Sequence, residues 1–121
     1  MGDIGPGGAC VRSFGELELA VMDLAWASPC PLHPGEVQQR LRPAHPVAYT
    51  TVLTVMSRLH AKGWLARKKE GRGYGYWPTT SRAEYAAGLM SQALAIGGND
   101  SATLAQFARR LSSARRTAGA A

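Results

Sequence analysis

The sequence predicts a mostly α-helical fold with one small β-hairpin, the hairpin followed by a helical extension. Three observations predict it. Apolar residues recur at helical spacing in several separate stretches. Only one segment, Leu65 to Trp77, reads as strand, turn and strand, with Gly71-Arg-Gly73 at its middle. Ser13 with Glu16, and Ser81 with Glu84, have the spacing at which a serine and a glutamate cap each other's backbone at a helix start.

Residues 1–12 are Gly-rich and are expected to be disordered. Behind the Ser13–Glu16 capping box, Phe14, Leu17, Val21 and Leu24 form the apolar stripe of a first helix ending near Ala27, where Ser28-Pro-Cys-Pro31 stops it. Pro34 suits a first helical position, and Val37 and Leu41 are the buried side of a short second helix that ends before Pro43. After the turn at His45-Pro46, a third helix spans about Tyr49 to Lys62. Val52, Val55, Met56 and Leu59 face inward, and Gly63 is the left-handed stop. Thr50, Thr51, Thr54, Ser57 and Arg58 remain on its other side. The hairpin returns through Tyr74-Gly-Tyr76-Trp77, weakened by Gly73 and Gly75. Ser81 and Glu84 open a fourth helix through Tyr85, Leu89, Ala93 and as far as Ile96, and Gly97-Gly-Asn-Asp100 breaks it. Leu104, Phe107 and Leu111 mark a shorter fifth helix, with Ser112 to Ala121 as a frayed basic tail. The organisation expected is a disordered start at 1–12, a first domain at 13–79, a helical segment at 80–111 and a flexible tail at 112–121.

The chain carries 121 residues, enough for one domain with a small appendage, and a net charge of +6. That charge is a patch. Seven of the 14 Lys and Arg residues lie between Arg58 and Arg82, opposed there by Glu70 alone, whereas the first 36 residues hold five of the eight acids and only Arg12. A cationic patch points to an anionic partner. No apolar run approaches the ~18 residues of a membrane span, and Met1-Gly-Asp-Ile-Gly-Pro-Gly-Gly lacks the basic and apolar regions of a signal peptide. A cytoplasmic protein without a membrane partner is expected. Cys10 and Cys30 form no CxxC and have no neighbouring His, and His33, His45 and His60 are too dispersed for a local metal site, so no metal or cofactor is expected. GxSxG, HExxH and a phosphate-cradling glycine loop are all missing, which argues against an enzyme.

Two helices joined by a turn, the second turning polar groups outward, follow the helix-turn-helix plan. Such a helix fits the DNA major groove, where base edges differ in donors, acceptors and the thymine methyl. Tyr49, Thr50, Thr51, Thr54 and Arg58 are the candidate groove residues; Arg58 suits either a guanine fork or a phosphate clamp. Arg67, Lys68, Lys69, Arg72 and Tyr74 on the hairpin are candidates for phosphate contact. A basic hairpin alone is as readily a solvated surface, and a threonine-rich helix start is often only a cap; their succession favours DNA. Trp26, Trp64, Tyr76 and Trp77 read as core and hairpin anchors rather than base-stacking groups. A module binding protein or RNA, or a regulator sensing a small ligand near Trp26 or Tyr85, stays open as an alternative.

Phe14-Gly-Glu-Leu-Glu-Leu-Ala-Val-Met-Asp-Leu-Ala-Trp26, Ala48-Tyr-Thr-Thr-Val-Leu-Thr-Val-Met-Ser-Arg-Leu59 and Lys62-Gly63 resemble the penicillinase-repressor family of bacterial winged-helix regulators, the BlaI/MecI/CopY type, over about residues 13 to 95. The resemblance implies a winged helix-turn-helix domain and a C-terminal dimerisation segment. It implies a homodimer on an inverted-repeat operator, repressing β-lactam-resistance, metal-homeostasis or stress genes. The recognition positions fall on Thr50, Thr51, Thr54 and Arg58, the wing on the segment around Lys69 to Tyr74, and dimerisation on Tyr85, Leu89, Leu104, Phe107 and Leu111. Many members begin the recognition helix with a lysine where Thr50 stands here, so a different operator preference is expected. The Cys-rich C-terminal metal motif of the copper-responsive branch is missing, which argues against copper sensing. The β-lactam branch is inactivated by a sensor protease at an Asn-Phe bond; the nearest match is Gln106-Phe107, with Gln where the family has Asn, and it is the candidate cleavage position. After Leu111 the apolar repeat of the family's last dimerisation helix is missing.

Overall fold

A computed structural model describes the backbone of residues 14–120 and the side chains of residues 14–115. The elements run α1 (Glu16–Ala27), α2 (Pro34–Leu41), α3 (Tyr49–Ala61), β1 (Leu65–Glu70), β2 (Gly73–Pro78), α4 (Arg82–Gly97) and α5 (Asp100–Ala120), in the predicted order. Residues 1–12, with Cys10, and Ser13 lie outside the described residues, and so do the expectations for them; Cys30 is exposed.

The first cap differs from expectation. Glu16 is the first residue of α1, so the third helical residue, which can reach back to the cap, is Glu18; its carboxylate accepts from the Gly15 N–H at 3.0 Å. Pro34 opens α2 as predicted, and Glu36 accepts from the His33 N–H at 3.2 Å. That backbone hydrogen bond, with a further one from the His33 ring, holds the Glu36 carboxyl below the usual carboxylate range. At α4 the Ser81–Glu84 pair forms as read, through bonds of 2.9 and 3.0 Å.

Between α2 and α3 the chain turns on Leu41, whose carbonyl accepts from Ala44 and His45, and the Gln38 amide donates to the Val47 carbonyl at 3.2 Å. The α3 end closes as a two-bond left-handed cap. Gly63 (φ 90°) donates to His60, and Trp64 donates to Leu59, both at 2.9 Å, with Trp64 and Leu59 buried together. This sets the direction in which the hairpin leaves the helix. The strands pair antiparallel from Leu65 opposite Pro78 to Glu70 opposite Gly73. Gly71 (φ 65°) takes the first place of the two-residue turn, where a positive φ is needed for strands to keep their twist. Leu32, in the α1–α2 connector, adds a third rung: its N–H and carbonyl bond the Tyr76 backbone at 2.8 and 2.9 Å.

The core gathers Val21, Met22 and Ala25 from α1, Leu32, Val37 and Leu41, Val52, Met56 and Leu59 from α3, and Trp64, Leu65 and Tyr76 from the hairpin. Val55, expected inward, is only partly buried. Trp77 is 37% exposed rather than an anchor, because the strand pleat sends it to the side opposite buried Tyr76.

The helical extension departs most from expectation. Tyr85, read as a dimer contact, is 7% exposed inside the domain. Its ring stacks on Phe14 at 4.4 Å, meets Trp64 edge-on at 5.6 Å and lies 5.7 Å from Trp26. The Phe14 N–H donates to the Tyr85 hydroxyl at 2.8 Å, and the Trp26 indole donates to the Thr80 carbonyl at 2.7 Å. Arg82 adds an ion pair to Asp23 at 3.0 Å. Leu89, partly buried, packs against the same core, so the first half of α4 lies on the elements that precede it. Ile96 is 87% exposed and forms no part of the inward stripe. Helix α5 does not stop at Leu111; it continues to Ala120, replacing the expected frayed tail.

Candidate nucleic-acid interface

Helix α3 presents its two sides as the spacing predicts. Val52, Met56 and Leu59 are buried, while Tyr49, Thr50, Thr51, Thr54 and Arg58 are all exposed. Ser57 is intermediate. The helix starts at Ala48 without a side-chain cap, which leaves the positive end of its dipole toward solvent. Thr54 is already committed in one respect. Its hydroxyl donates to the Thr50 carbonyl at 2.9 Å, so what it shows to a partner is an acceptor oxygen and a methyl, not a donor.

The wing is β1, its turn and β2. Its root is fixed to the end of α3 by the Trp64 bond described above and by the contact of His60 Nδ1 with the Leu65 carbonyl at 3.0 Å. Alternation puts Arg67 and Lys69 on one face with Tyr76 and Tyr74, and Lys68 on the other opposite Gly75. Lys68, Lys69 and Arg72 are exposed. Arg67 is less available: its guanidinium lies 4.3 Å from the Tyr74 ring centroid and one nitrogen is 3.5 Å from the Tyr76 hydroxyl. It and the half-exposed Tyr74 brace each other.

Glu70, the single acid in this basic stretch, is occupied. His33 Nε2 is 2.9 Å from its carboxylate while His33 Nδ1 is 3.3 Å from Glu36. The contact ties the wing to the start of α2 and engages the carboxylate beside Lys69. Pro31 lies close on the same side, where a Cβ added to Gly75 would come within 2.9 Å of its Cβ. Sequence spacing assigned the histidines no role and could not see this contact, since His33 and Glu70 are distant along the chain. Lys62 is paired with Glu18 at 3.5 Å, whereas among the described residues no carboxylate lies in ion-pair range of Arg58, Lys68, Lys69 or Arg72. Those four cations are left for an external anion. No group of His, Cys, Asp and Glu suited to a metal occurs among the described residues.

Leu53 was missed by sequence reasoning. It is 38% exposed, on the same side as Thr54 and Ser57, and a leucine in an apolar-rich helix reads as core unless its angular position is checked. Of the candidate dimer residues, Leu104, Phe107 and Leu111 are exposed at 49%, 46% and 39%, and Gln106 is exposed beside them.

A helix-turn-helix with a polar, uncapped second helix and a cationic hairpin after it defines a winged-helix regulator of the DNA-binding class. The family model described as penicillinase repressor matches residues 14–117. The chain is 37% identical over 106 residues to the transcriptional regulator BlaI of Mycobacterium tuberculosis, in strains CDC 1551 / Oshkosh and ATCC 25618 / H37Rv alike, covering 85% of this chain and 77% of that protein. The solution structure of the DNA-binding domain of the repressor BlaI superposes with a TM-score of 0.54 at 29% identity, covering 62% of this chain and 90% of that one. Bacillus licheniformis BlaI, in monomeric form in complex with the blaP half-operator, superposes with a TM-score of 0.51 at the same identity and coverage. The chain belongs to the penicillinase repressor family, a family of DNA-binding transcriptional repressors rather than enzymes.

Proposed function

We propose that this repressor acts as a homodimer on an inverted-repeat operator, each α3 reading one half-site in the major groove while Lys68, Lys69 and Arg72 hold flanking phosphates. The observation that carries this reading is the outward face of α3. Its hydroxyls and the unpaired Arg58 adjoin, in sequence and through a bonded root, a wing whose only acid is already engaged. The Bacillus licheniformis relative in complex with the blaP half-operator supports binding to an operator half-site.

Leu104, Phe107 and Leu111 lie on one side of α5 at helical spacing, and no other described element covers them. They are the dimer contacts in this reading; Tyr85 and Leu89 are not, since the DNA-binding domain itself takes them up. Two-fold symmetry then sets half-site centres about one helical turn of DNA apart, roughly 34–36 Å, or a multiple of it. In this reading the protein works in the cytoplasm, where its DNA target lies. The regulated genes are of the β-lactam-resistance or stress-response kind, and a sensor protease cutting at Gln106–Phe107 is the inducing event. That bond sits inside α5, so such a protease reaches it only after local unwinding.

Duplexes selected by the protein from a randomised library, followed by fluorescence anisotropy across a salt series, test the reading. A steep fall of affinity with salt is expected, each phosphate contact contributing about 0.9 to the logarithmic slope; salt-indifferent or undetectable duplex binding would refute it. Lys69→Ala is expected to weaken selected and random duplexes to the same extent and to lower the slope by about 1. Phe107→Asp is expected to abolish dimers in analytical ultracentrifugation and to leave binding to an isolated half-site intact. Dimers that survive it place the interface elsewhere.

A further inference from the structure

Among the outward residues of α3, Leu53 is the one large aliphatic group, with the exposed Tyr49 ring one turn before it in the same row, and exposed leucines are ordinary enough to need a second observation. Its surroundings supply one. At helical spacing Leu53, Ser57 and Ala61 form one row, with Thr50, Thr54 and Arg58 in the row beside it. The small side chains of Ser57 and Ala61 leave a shallow open concavity of ≈ 380 Å³, edged by Leu53, Thr54 and Arg58. The Thr54 hydroxyl proton is spent on the Thr50 carbonyl, which removes a donor from that edge and leaves a methyl there. The groove-facing side of the helix therefore carries an apolar lip over a floor of small residues.

Base edges in the major groove offer acceptors, donors and one apolar group, the 5-methyl of thymine. A phosphate or any other base edge set against Leu53 would lose water without gaining a partner. We propose that Leu53 reads a thymine in each half-site through its 5-methyl group, seated between Leu53 and the small residues Ser57 and Ala61. The inference rests on the DNA-reading role of α3 given above and names what one position of that helix selects.

The test replaces each thymine of a library-selected duplex in turn by deoxyuridine, which deletes the methyl and nothing else. At one thymine per half-site the wild-type protein is expected to lose about fourfold in affinity, the effect of one buried methyl-sized group. Leu53→Ala is expected to weaken binding to the unmodified duplex by a similar factor and to be indifferent to uracil at that position. Thr54→Ser, which removes the neighbouring methyl, is expected to keep the wild-type sensitivity. Uracil tolerated at every position, a selected half-site without thymine, or an unchanged uracil penalty in Leu53→Ala would each overturn the inference while leaving DNA recognition by α3 in place. Wild-type protein with no salt-sensitive duplex affinity would defeat the DNA-binding reading first, and this one with it.

Discussion

Tyr85→Ala is expected to lower the unfolding free energy of the monomer by about 3–5 kcal/mol, the range for removing a buried large aromatic. The ring lies against Phe14, Trp26 and Trp64, and its hydroxyl accepts the Phe14 N–H, so alanine leaves both a cavity and an unpartnered donor. Tyr85→Phe separates the two contributions: it keeps the stack and loses one hydrogen bond, for roughly 0.5–1.5 kcal/mol. A double-mutant cycle with Phe14→Ala is expected to show coupling of about 0.5–1.5 kcal/mol beyond burial. Urea unfolding followed by tryptophan fluorescence reads all of these. If Tyr85 were instead a dimer contact, as its place in the helical extension suggests, Tyr85→Ala would weaken dimerisation and barely move the monomer's urea midpoint. The outcome bears on function, because in the proposed α5 dimer the packing of Tyr85 on the DNA-binding domain would link the dimer contact to the spacing of two recognition helices.

Why the burial of Tyr85 was not legible in the sequence while the caps and turns were is a matter of range. The Ser81–Glu84 cap, the Gly63 stop and the Gly71 turn depend on a few adjacent residues, and each formed where the residues dictated. The two sides of α3 were legible because the helical repeat alone separates Val52, Met56 and Leu59 from Thr50, Thr51, Thr54 and Arg58. Tyr85 meets Phe14 across 71 residues, and Leu32 pairs with Tyr76, contacts for which a local pattern carries no signal. Trp77 was half-legible: once Tyr76 is buried, pleating must put its neighbour on the other face. The length of α5 was hidden because the reading followed apolar spacing, which lapses after Leu111. Alanine and arginine there favour helix by propensity without any core to face. In the site, the cations were legible by type, but the withdrawal of Glu70 by His33, and of Arg67 onto Tyr74, required coordinates.

Arg58→Ala is expected to cost about 1–3 kcal/mol on the selected operator, on the order of 10- to 100-fold in affinity, with a much smaller loss on random duplex. Among the described residues Arg58 has no carboxylate partner, so the substitution should leave thermal stability nearly unchanged and the loss can be assigned to DNA. Lysine discriminates between the two roles open to the guanidinium. A phosphate clamp needs chiefly a positive charge, which Arg58→Lys retains; a guanine fork needs two parallel donors in one plane, which it lacks. Recovery of nearly full affinity and of the wild-type salt slope by Arg58→Lys identifies a clamp. Recovery of the slope without recovery of operator preference identifies a base reader. Its place in the row with Thr50 and Thr54, in the last turn of the helix and on the side turned from the core, keeps the base edge open to it: the wing already supplies Lys68, Lys69 and Arg72 for the backbone, whereas α3 offers no other side chain with a fork. Equal losses for Arg58→Ala on operator and random DNA would remove that role and leave sequence reading to the threonines.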